Sequence, residues 1–158
     1  YVLRDGEDAV PPMIQKTFDE AIRAREIFQR NIEAGRTAGE LFEILNYNLE
    51  EAGFVNIYRD QFDINADPGK TQINLFFHPL GNSWPVDAGG PTISRRSQQA
   101  HLKIPLYHTF VFEYMMHMPV PEWGKGKHVY MAIEDDVIVT ERGVEFLYPP
   151  IKQIHLIR

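Results

Sequence analysis

Residues 110–147 constrain the fold of this chain more than any other stretch, because two glutamates interrupt runs that otherwise have the character of hydrophobic strands. Glu113 stands between two aromatic residues, and Glu134 follows an isoleucine. A carboxylate that is buried in a sheet without a partner costs several kcal/mol. Two such glutamates on neighbouring strands therefore predict a cation between them, and a divalent metal ion is the leading candidate.

The length and composition limit the class of the protein. The chain has 158 residues, of which 44% are hydrophobic, and this predicts a single domain with one core over residues 1–158. A formal net charge of −6 and scattered lysines and arginines argue against nucleic-acid binding. No run approaches the roughly 18 apolar residues of a membrane span, so we expect a soluble protein without membrane association. The absence of cysteine leaves the compartment open, and we favour the cytoplasm over secretion.

The first residues predict that preceding strands are missing. Tyr1 to Arg4 have the pattern of a strand end, and residues 5–8 follow as a polar turn. Since a domain rarely starts in the middle of a strand, we expect an N-terminal truncation. The exposed sheet edge that results would be covered in a homodimer.

Hydrophobic periodicity predicts two helices in the first third of the chain. Residues 13–34 have the spacing of one long amphipathic helix. Thr37 and Glu40 form a capping box that begins a second helix, and Gly53 lies where a left-handed C-terminal cap is needed.

After the second helix the hydrophobic period changes to two, which indicates strands. We predict strands at residues 54–58, 72–81, 109–116, 127–133 and 136–140, with a further extended segment from residue 145. Asp135 and Asp136 are predicted to form an acidic turn between two of these strands. The resulting fold class is α+β, with a helical pair on one face of a curved, mainly antiparallel sheet.

Three side chains form the candidate site. His78 ends a strand before a long irregular loop, and Glu113 and Glu134 interrupt the two apolar runs. One imidazole and two carboxylates suit Mn, Fe, Co or Zn. The residues alone leave an alternative open, in which His78 bonds to a carbonyl and the glutamates face solvent on an open sheet.

Several motifs together resemble one family. Residues 133–147 contain IEDDVIVTERGVEFL, which is a glutamate at a strand end, an acidic turn, a hydrophobic strand and then Glu-x-Gly before an apolar residue. Earlier in the chain come a Gly-x-Thr-x-x-Glu helix start at Gly35, a His-x-x-Gly strand end at His78 and a VFE strand at Glu113. In this order the motifs resemble the pita-bread metallopeptidases, the family of methionine aminopeptidase, Xaa-Pro aminopeptidase, prolidase and creatinase. The resemblance implies a partial pita-bread fold, the C-terminal portion of such a catalytic domain.

The resemblance also implies roles for the candidate residues. In that family two metal ions are held by two aspartates, a histidine and two glutamates, in chain order. His78, Glu113 and Glu134 match the last three metal ligands, and Glu113 and Glu134 are then also the catalytic residues. The two aspartates would lie on strands just before Tyr1, where this sequence has no residues.

A second departure concerns a substrate-contacting histidine that relatives carry about seven residues after the ligand histidine. Trp84, Pro85 and Val86 occupy that region here. Of the other histidines, His108 and His117 are the candidates to replace it.

The function implied is that of a metal-dependent peptidase-like domain of the Xaa-Pro aminopeptidase or dipeptidase type, with Mn, Co or Zn as cofactor and a peptide as partner. Because two of five ligands have no counterpart, we expect this chain to bind metal weakly or not at all and to be inactive on its own. The alternative is a non-catalytic peptide- or protein-binding module on the same scaffold.

Overall fold

The structure is a computed structural model that describes residues 1–58, 60–81 and 90–158. The elements within these ranges are α1 (Pro12–Asn31), α2 (Ala38–Glu51), β1 (Val55–Asn56), β2 (Gln72–Pro79), β3 (Ile93–Ser94), β4 (Thr109–Pro119), a 3₁₀ turn (Pro121–Trp123), β5 (His128–Thr140) and β6 (Gly143–Phe146). No helix in these ranges is long and apolar enough to cross a membrane.

The described strands form one six-stranded sheet in the order β1-β2-β4-β5-β6, and β3 pairs with β2 off this path. The β1–β2 pair is parallel and every other pair is antiparallel. Helix α1 packs on β4, β5 and β6, whereas α2 packs on β1 and β3. The predicted α+β fold, two helices against a mainly antiparallel sheet, is confirmed.

The helix boundaries follow from local chemistry. Helix α1 has Pro12 at its first position, where the missing N–H leaves no donor unsatisfied. At the start of α2 the Thr37 hydroxyl accepts from the Glu40 N–H at 3.2 Å, and the Glu40 carboxylate accepts from the Thr37 N–H at 2.8 Å. Gly53 follows α2 with φ +88°, a left-handed conformation that favours glycine. The capping box and the glycine cap are therefore confirmed.

An aromatic cluster forms the core between α1 and the sheet. Phe28 of α1 makes edge contacts with Phe77, Phe112 and Tyr114, at centroid distances of 4.9, 6.0 and 5.1 Å. All four rings are fully buried. The Tyr114 hydroxyl donates to the carbonyl of Ala21 at 3.1 Å, and burial raises the pKa of this phenol well above its usual range. These contacts hold α1 against β2 and β4.

The predicted turn at Asp135 and Asp136 is wrong, because both residues lie inside the continuous strand β5. Asp135 faces the helices, where the Arg25 guanidinium donates to its carboxylate at 3.1 Å and also donates to the Ile151 carbonyl at 2.8 Å. The side chains of Arg25 and Asp135 are only 6% and 9% exposed. Arg25 thus compensates the buried charge of Asp135. That charge is the reason why the sequence alone favours a turn at this position.

Candidate functional site

The three predicted ligands lie on the face of the sheet opposite the aromatic cluster, which we call the open face. Glu113 on β4 is directly opposite Glu134 on β5, and on its other side it is opposite Phe76 on β2. His78 follows Phe76 by two residues, and residues two apart on a strand share a face. The sheet register thus brings His78, Glu113 and Glu134 together on the open face.

The imidazole of His78 bridges the backbone and the nearer glutamate. Its Nδ1 lies 3.0 Å from the carbonyl oxygen of Pro79, and its Nε2 lies 3.5 Å from Glu113 Oε2. A neutral His78 that donates its Nδ1–H to that carbonyl has its lone pair on Nε2, directed toward the carboxylates. Metal-binding histidines are commonly held by such a bond from their second nitrogen.

The two glutamates differ in burial. Glu113 is partly buried, and desolvation, followed by repulsion from Glu134, raises its pKa, while the neighbouring His78 partly lowers it. Glu134 is exposed, so the expectation that both glutamates are buried is wrong for Glu134. The reason is that the helices cover only the other face of the sheet. Two carboxylates side by side are a configuration that a bound cation would stabilise.

A second polar cluster lies further along the open face. Asp60, from the segment before β2, is 2.8 Å from His117 Nε2 and accepts from the Tyr130 hydroxyl at 2.9 Å. Burial lowers the pKa of His117, and the Asp60 carboxylate opposes this shift. His128 stacks on Phe62 at 4.2 Å and contacts the His117 ring at 4.8 Å. Asp60 was not predicted as a site residue, because nothing near it in the sequence signals its partners, which are 57 and 70 residues away.

The two histidines considered as replacements occupy different places. His117 is on the open face but four residues from Glu113, which at about 3.4 Å per residue is about 14 Å along β4. His108 precedes β4, its Nε2 lies 3.3 Å from the Pro91 carbonyl oxygen, and burial lowers its pKa. Neither histidine ring therefore lies beside Glu113 and Glu134, where a replacement for the substrate-contacting histidine is expected. Trp84, Pro85 and Val86 lie outside the described residues.

Comparison with known proteins identifies the fold. No protein-family model matches the chain, and no curated protein sequence matches it significantly. Among solved structures, the X-Pro aminopeptidase from Thermotoga maritima matches with a TM-score of 0.58 and 20% identity, over 94% of this chain and 35% of that one. This chain has a pita-bread peptidase-like fold. The dipeptidase PepE from Mycobacterium ulcerans also matches, with a TM-score of 0.48, 16% identity and coverage of 94% and 33%. The pita-bread domain described here thus spans about a third of the length of each peptidase.

His78, Glu113 and Glu134 are donors of a kind that a divalent ion accepts. An imidazole held through Nδ1 and two adjacent carboxylates offer nitrogen and oxygen donors of the kind that Mn, Co and Zn accept. In the described parts of the chain, however, no three histidine, aspartate or glutamate side chains already stand close enough to hold an ion. An ion could be held by these three side chains only if at least one of them moved closer to the others, and Glu134 is the exposed one.

Proposed function

We propose that this chain is a peptidase-like domain in which His78, Glu113 and Glu134 hold a divalent ion on the open face. The observation that carries the proposal is the direct pairing of Glu113 with Glu134 beside the Nε2 atom of His78. Like charges directly opposite one another on a sheet are unfavourable, so the arrangement is costly unless a cation neutralises it. The peptide class is supported by the fold shared with an X-Pro aminopeptidase, and the bond attacked would be at the N-terminal end or before proline.

The chemistry divides between the ion and the side chains. When bound, the ion would act as a Lewis acid toward a peptide carbonyl. His78 would hold the ion through Nε2, and the bond from Nδ1 to the Pro79 carbonyl keeps the orientation of its ring. One of the two glutamates carries a proton from the attacking water to the leaving amine, for which a carboxylate within hydrogen-bond reach is sufficient.

Activity of the 158 residues alone is expected to be weak or absent. The family's chemistry uses two ions and five ligands, and only three of those ligands have counterparts in this sequence. One ion held by three side chains lacks the second charge and the fixed geometry on which much of the rate depends. We therefore expect weak binding of a single ion before any peptide hydrolysis is seen.

Titration calorimetry with Mn²⁺, Co²⁺ and Zn²⁺ tests the proposal directly. The unmodified protein should bind one ion weakly, and Glu134→Gln and Glu113→Gln should each weaken binding at least tenfold. Glu43→Gln, at an exposed position on α2, removes the same charge without touching the site and should leave binding unchanged. An assay on Xaa-Pro peptides with metal-loaded protein runs beside the titration.

Two results would contradict the proposal. Equal metal affinity in unmodified protein and in Glu113→Gln would show that the metal site does not lie on the open face. Robust peptide hydrolysis that survives Glu134→Gln would place the chemistry elsewhere in the protein.

A second function, peptide or protein binding without cleavage, is favoured by one observation. Among the described residues, the donors are near one another but not gathered into a group that holds an ion. Binding of an Xaa-Pro peptide with equal affinity in the presence and absence of metal, with no hydrolysis, would support this function over the peptidase.

The homodimer remains a proposal as well. Val2 and Ile157 are paired by an isolated bridge, and both side chains are exposed, as is Leu156. Exposed apolar side chains favour association. Sedimentation equilibrium should show a dimer, and a Val2→Glu variant should shift the protein toward monomer.

A further inference from the structure

The second polar cluster of the open face contains two histidine rings in contact. His117 on β4 is directly opposite Tyr130 on β5, and His128 precedes Tyr130 by two residues on the same strand. Since residues two apart on a strand share a face, both imidazoles lie on the open face. Their ring centres are 4.8 Å apart and their planes are inclined at 65°. Two imidazoles on one metal ion have their centres about 5 Å apart, because each metal–nitrogen bond is about 2.0–2.1 Å long.

Each of these two rings is oriented by a hydrogen bond from one of its nitrogens. His117 Nε2 lies 2.8 Å from a carboxylate oxygen of Asp60, and His128 Nδ1 lies 3.1 Å from the carbonyl oxygen of Gly126. A carbonyl and an ionised carboxylate can only accept, so neutral rings donate through these nitrogens. The lone pairs are then on His117 Nδ1 and His128 Nε2. Metal-binding histidines are commonly held in this way through their second nitrogen.

The other nitrogen of His117 is a buried acceptor without a partner. His117 is only 5% exposed, and its Nδ1 forms no hydrogen bond in the part of the chain that the structure describes. A buried polar atom left unpaired costs about 1–3 kcal/mol, so this nitrogen is costly unless it binds something. The Phe62 ring stacks on His128 at 4.2 Å and lies 6.0 Å from the His117 ring, which limits the access of water to both imidazoles.

We propose that His117 Nδ1 and His128 Nε2 bind one late transition-metal ion, such as Zn²⁺, at a site separate from the candidate site at Glu113. Imidazole nitrogens suit Zn, Cu and Ni. His117 is four residues from Glu113, about 14 Å along β4, which is too far for the two to be ligands of one ion. Among residues 1–58, 60–81 and 90–158, no third histidine, aspartate or glutamate completes a metal-binding group, so water or an external ligand takes the remaining coordination positions.

The ion connects three parts of the open face. It links β4 to β5 in addition to their backbone pairing, and the bond between Asp60 and His117 extends the link to the segment before β2. An ion that binds the folded chain and not the unfolded one stabilises the protein. The inference is independent of the peptidase function, because it uses none of the residues of that site.

Titration calorimetry with Zn²⁺ tests the two-histidine site in a protein that carries both Glu113→Gln and Glu134→Gln. This protein should bind one ion, and it should unfold at a higher urea concentration when Zn²⁺ is present. Adding His128→Gln or His117→Gln should each weaken binding about tenfold or more, because one of two protein ligands is lost, and should remove the stabilisation. Asp60→Ala should weaken binding about tenfold, since losing the bond that orients a ligand histidine typically costs about 10–100-fold in affinity.

His101→Gln is the matched control, because His101 is an exposed histidine outside the cluster. It should leave the Zn²⁺ affinity unchanged. No binding of Zn²⁺, or equal affinity with and without His128→Gln, would overturn the site, as would loss of binding in His101→Gln. Because the carboxylates of Glu113 and Glu134 are replaced in every protein of this series, failure here leaves the separate titration of those residues to decide the peptidase function.

Discussion

Carboxylates on the two faces of the sheet have different surroundings, and consecutive residues of β5 show the difference. Asp135 faces the helices, is almost fully buried and is paired with Arg25. Glu134, the residue before it, faces the open side, is exposed and stands opposite Glu113, a residue of the same charge. One strand therefore carries, on one face, a carboxylate that is paired with an arginine and, on the other, a glutamate that is directly opposite a second glutamate.

Within this one sheet, the contacts that stabilise the fold and the candidate functional residues therefore lie on different faces. The aromatic cluster around Phe28 and the salt bridge of Arg25 stabilise the helix-covered face. On the open face the Glu113–Glu134 pair gains little from its charges, and Glu134 is accessible to ligands. Groups that cost stability are retained more readily where they bind something, which is why the open face is the better place to look for chemistry.

The largest effect is expected from truncation of the aromatic cluster. Phe112→Ala should lower the free energy of unfolding by about 3–5 kcal/mol, because it leaves a cavity among rings that are fully buried. Urea denaturation measures the change. Met115→Ala, on the same strand but on the open face, is the matched control and should cost about 1 kcal/mol. Equal costs at both positions would show that the open face is packed as tightly as the covered one.

The buried ion pair should give the next largest effect. Arg25→Met leaves the Asp135 carboxylate buried without its cation, and it should destabilise the protein by about 3 kcal/mol in urea denaturation. Arg30→Met, on the same helix at an exposed pair with Glu26, should cost no more than about 0.5 kcal/mol. Adding Asp135→Asn to Arg25→Met should recover part of the loss, and no recovery would argue against a pairwise role.

A smaller effect is expected from the pH dependence of His117. Burial lowers the pKa of His117 in the folded protein, so its neutral form contributes stability that is present above pH 6.5. That stability is lost as the pH falls from 6.5 through the lowered pKa, with a slope of at most about 1.4 kcal/mol per pH unit for one group. Urea denaturation between pH 5 and 8 should show the loss. In His117→Gln it should be reduced but not absent, because the pKa of His108 is lowered as well.

The smallest effect, of opposite sign, is expected at Glu134. In metal-free protein, Glu134→Gln should stabilise by about 0.5 kcal/mol, because it removes repulsion from Glu113 across the β4–β5 pair. Chemical denaturation in EDTA measures this, with Glu43→Gln as the neutral control. A clear destabilisation would mean that Glu134 has a partner in the folded protein, and the contrast between Glu134 and Asp135 would then fail.

The local features of the fold were predictable from the sequence because their causes are local. The capping box at Thr37 and the cap at Gly53 depend on residues within a few positions, and the hydrophobic periods located both helices and the strands β2 and β4. The three candidate ligands were found because a glutamate or histidine in an apolar strand is visible without knowing its partners. Their roles in metal binding stay a prediction.

Other features depend on partners that are far away in the chain. Asp135 was assigned to a turn because the residue that neutralises it, Arg25, lies 110 positions earlier. The burial of Glu134 was predicted wrongly because an apolar run does not reveal that one face of its strand is left uncovered. The role of Asp60 is not visible in the sequence for the same reason, since its partners His117 and Tyr130 come from β4 and β5.

The adjacency of Glu134 and Asp135 also limits how β5 can change in evolution. Inserting one residue just before this pair would move Glu134 into the place that faces Arg25, and a longer carboxylate would then have to fit on the helix-covered face. Deleting one residue there would move Asp135 into the place opposite Glu113, and a shorter carboxylate would then have to reach the ligand. Length variants in this family of folds should therefore accumulate at the ends of the strand, in the segment before His128 or the turn at Glu141 and Arg142, and not within it.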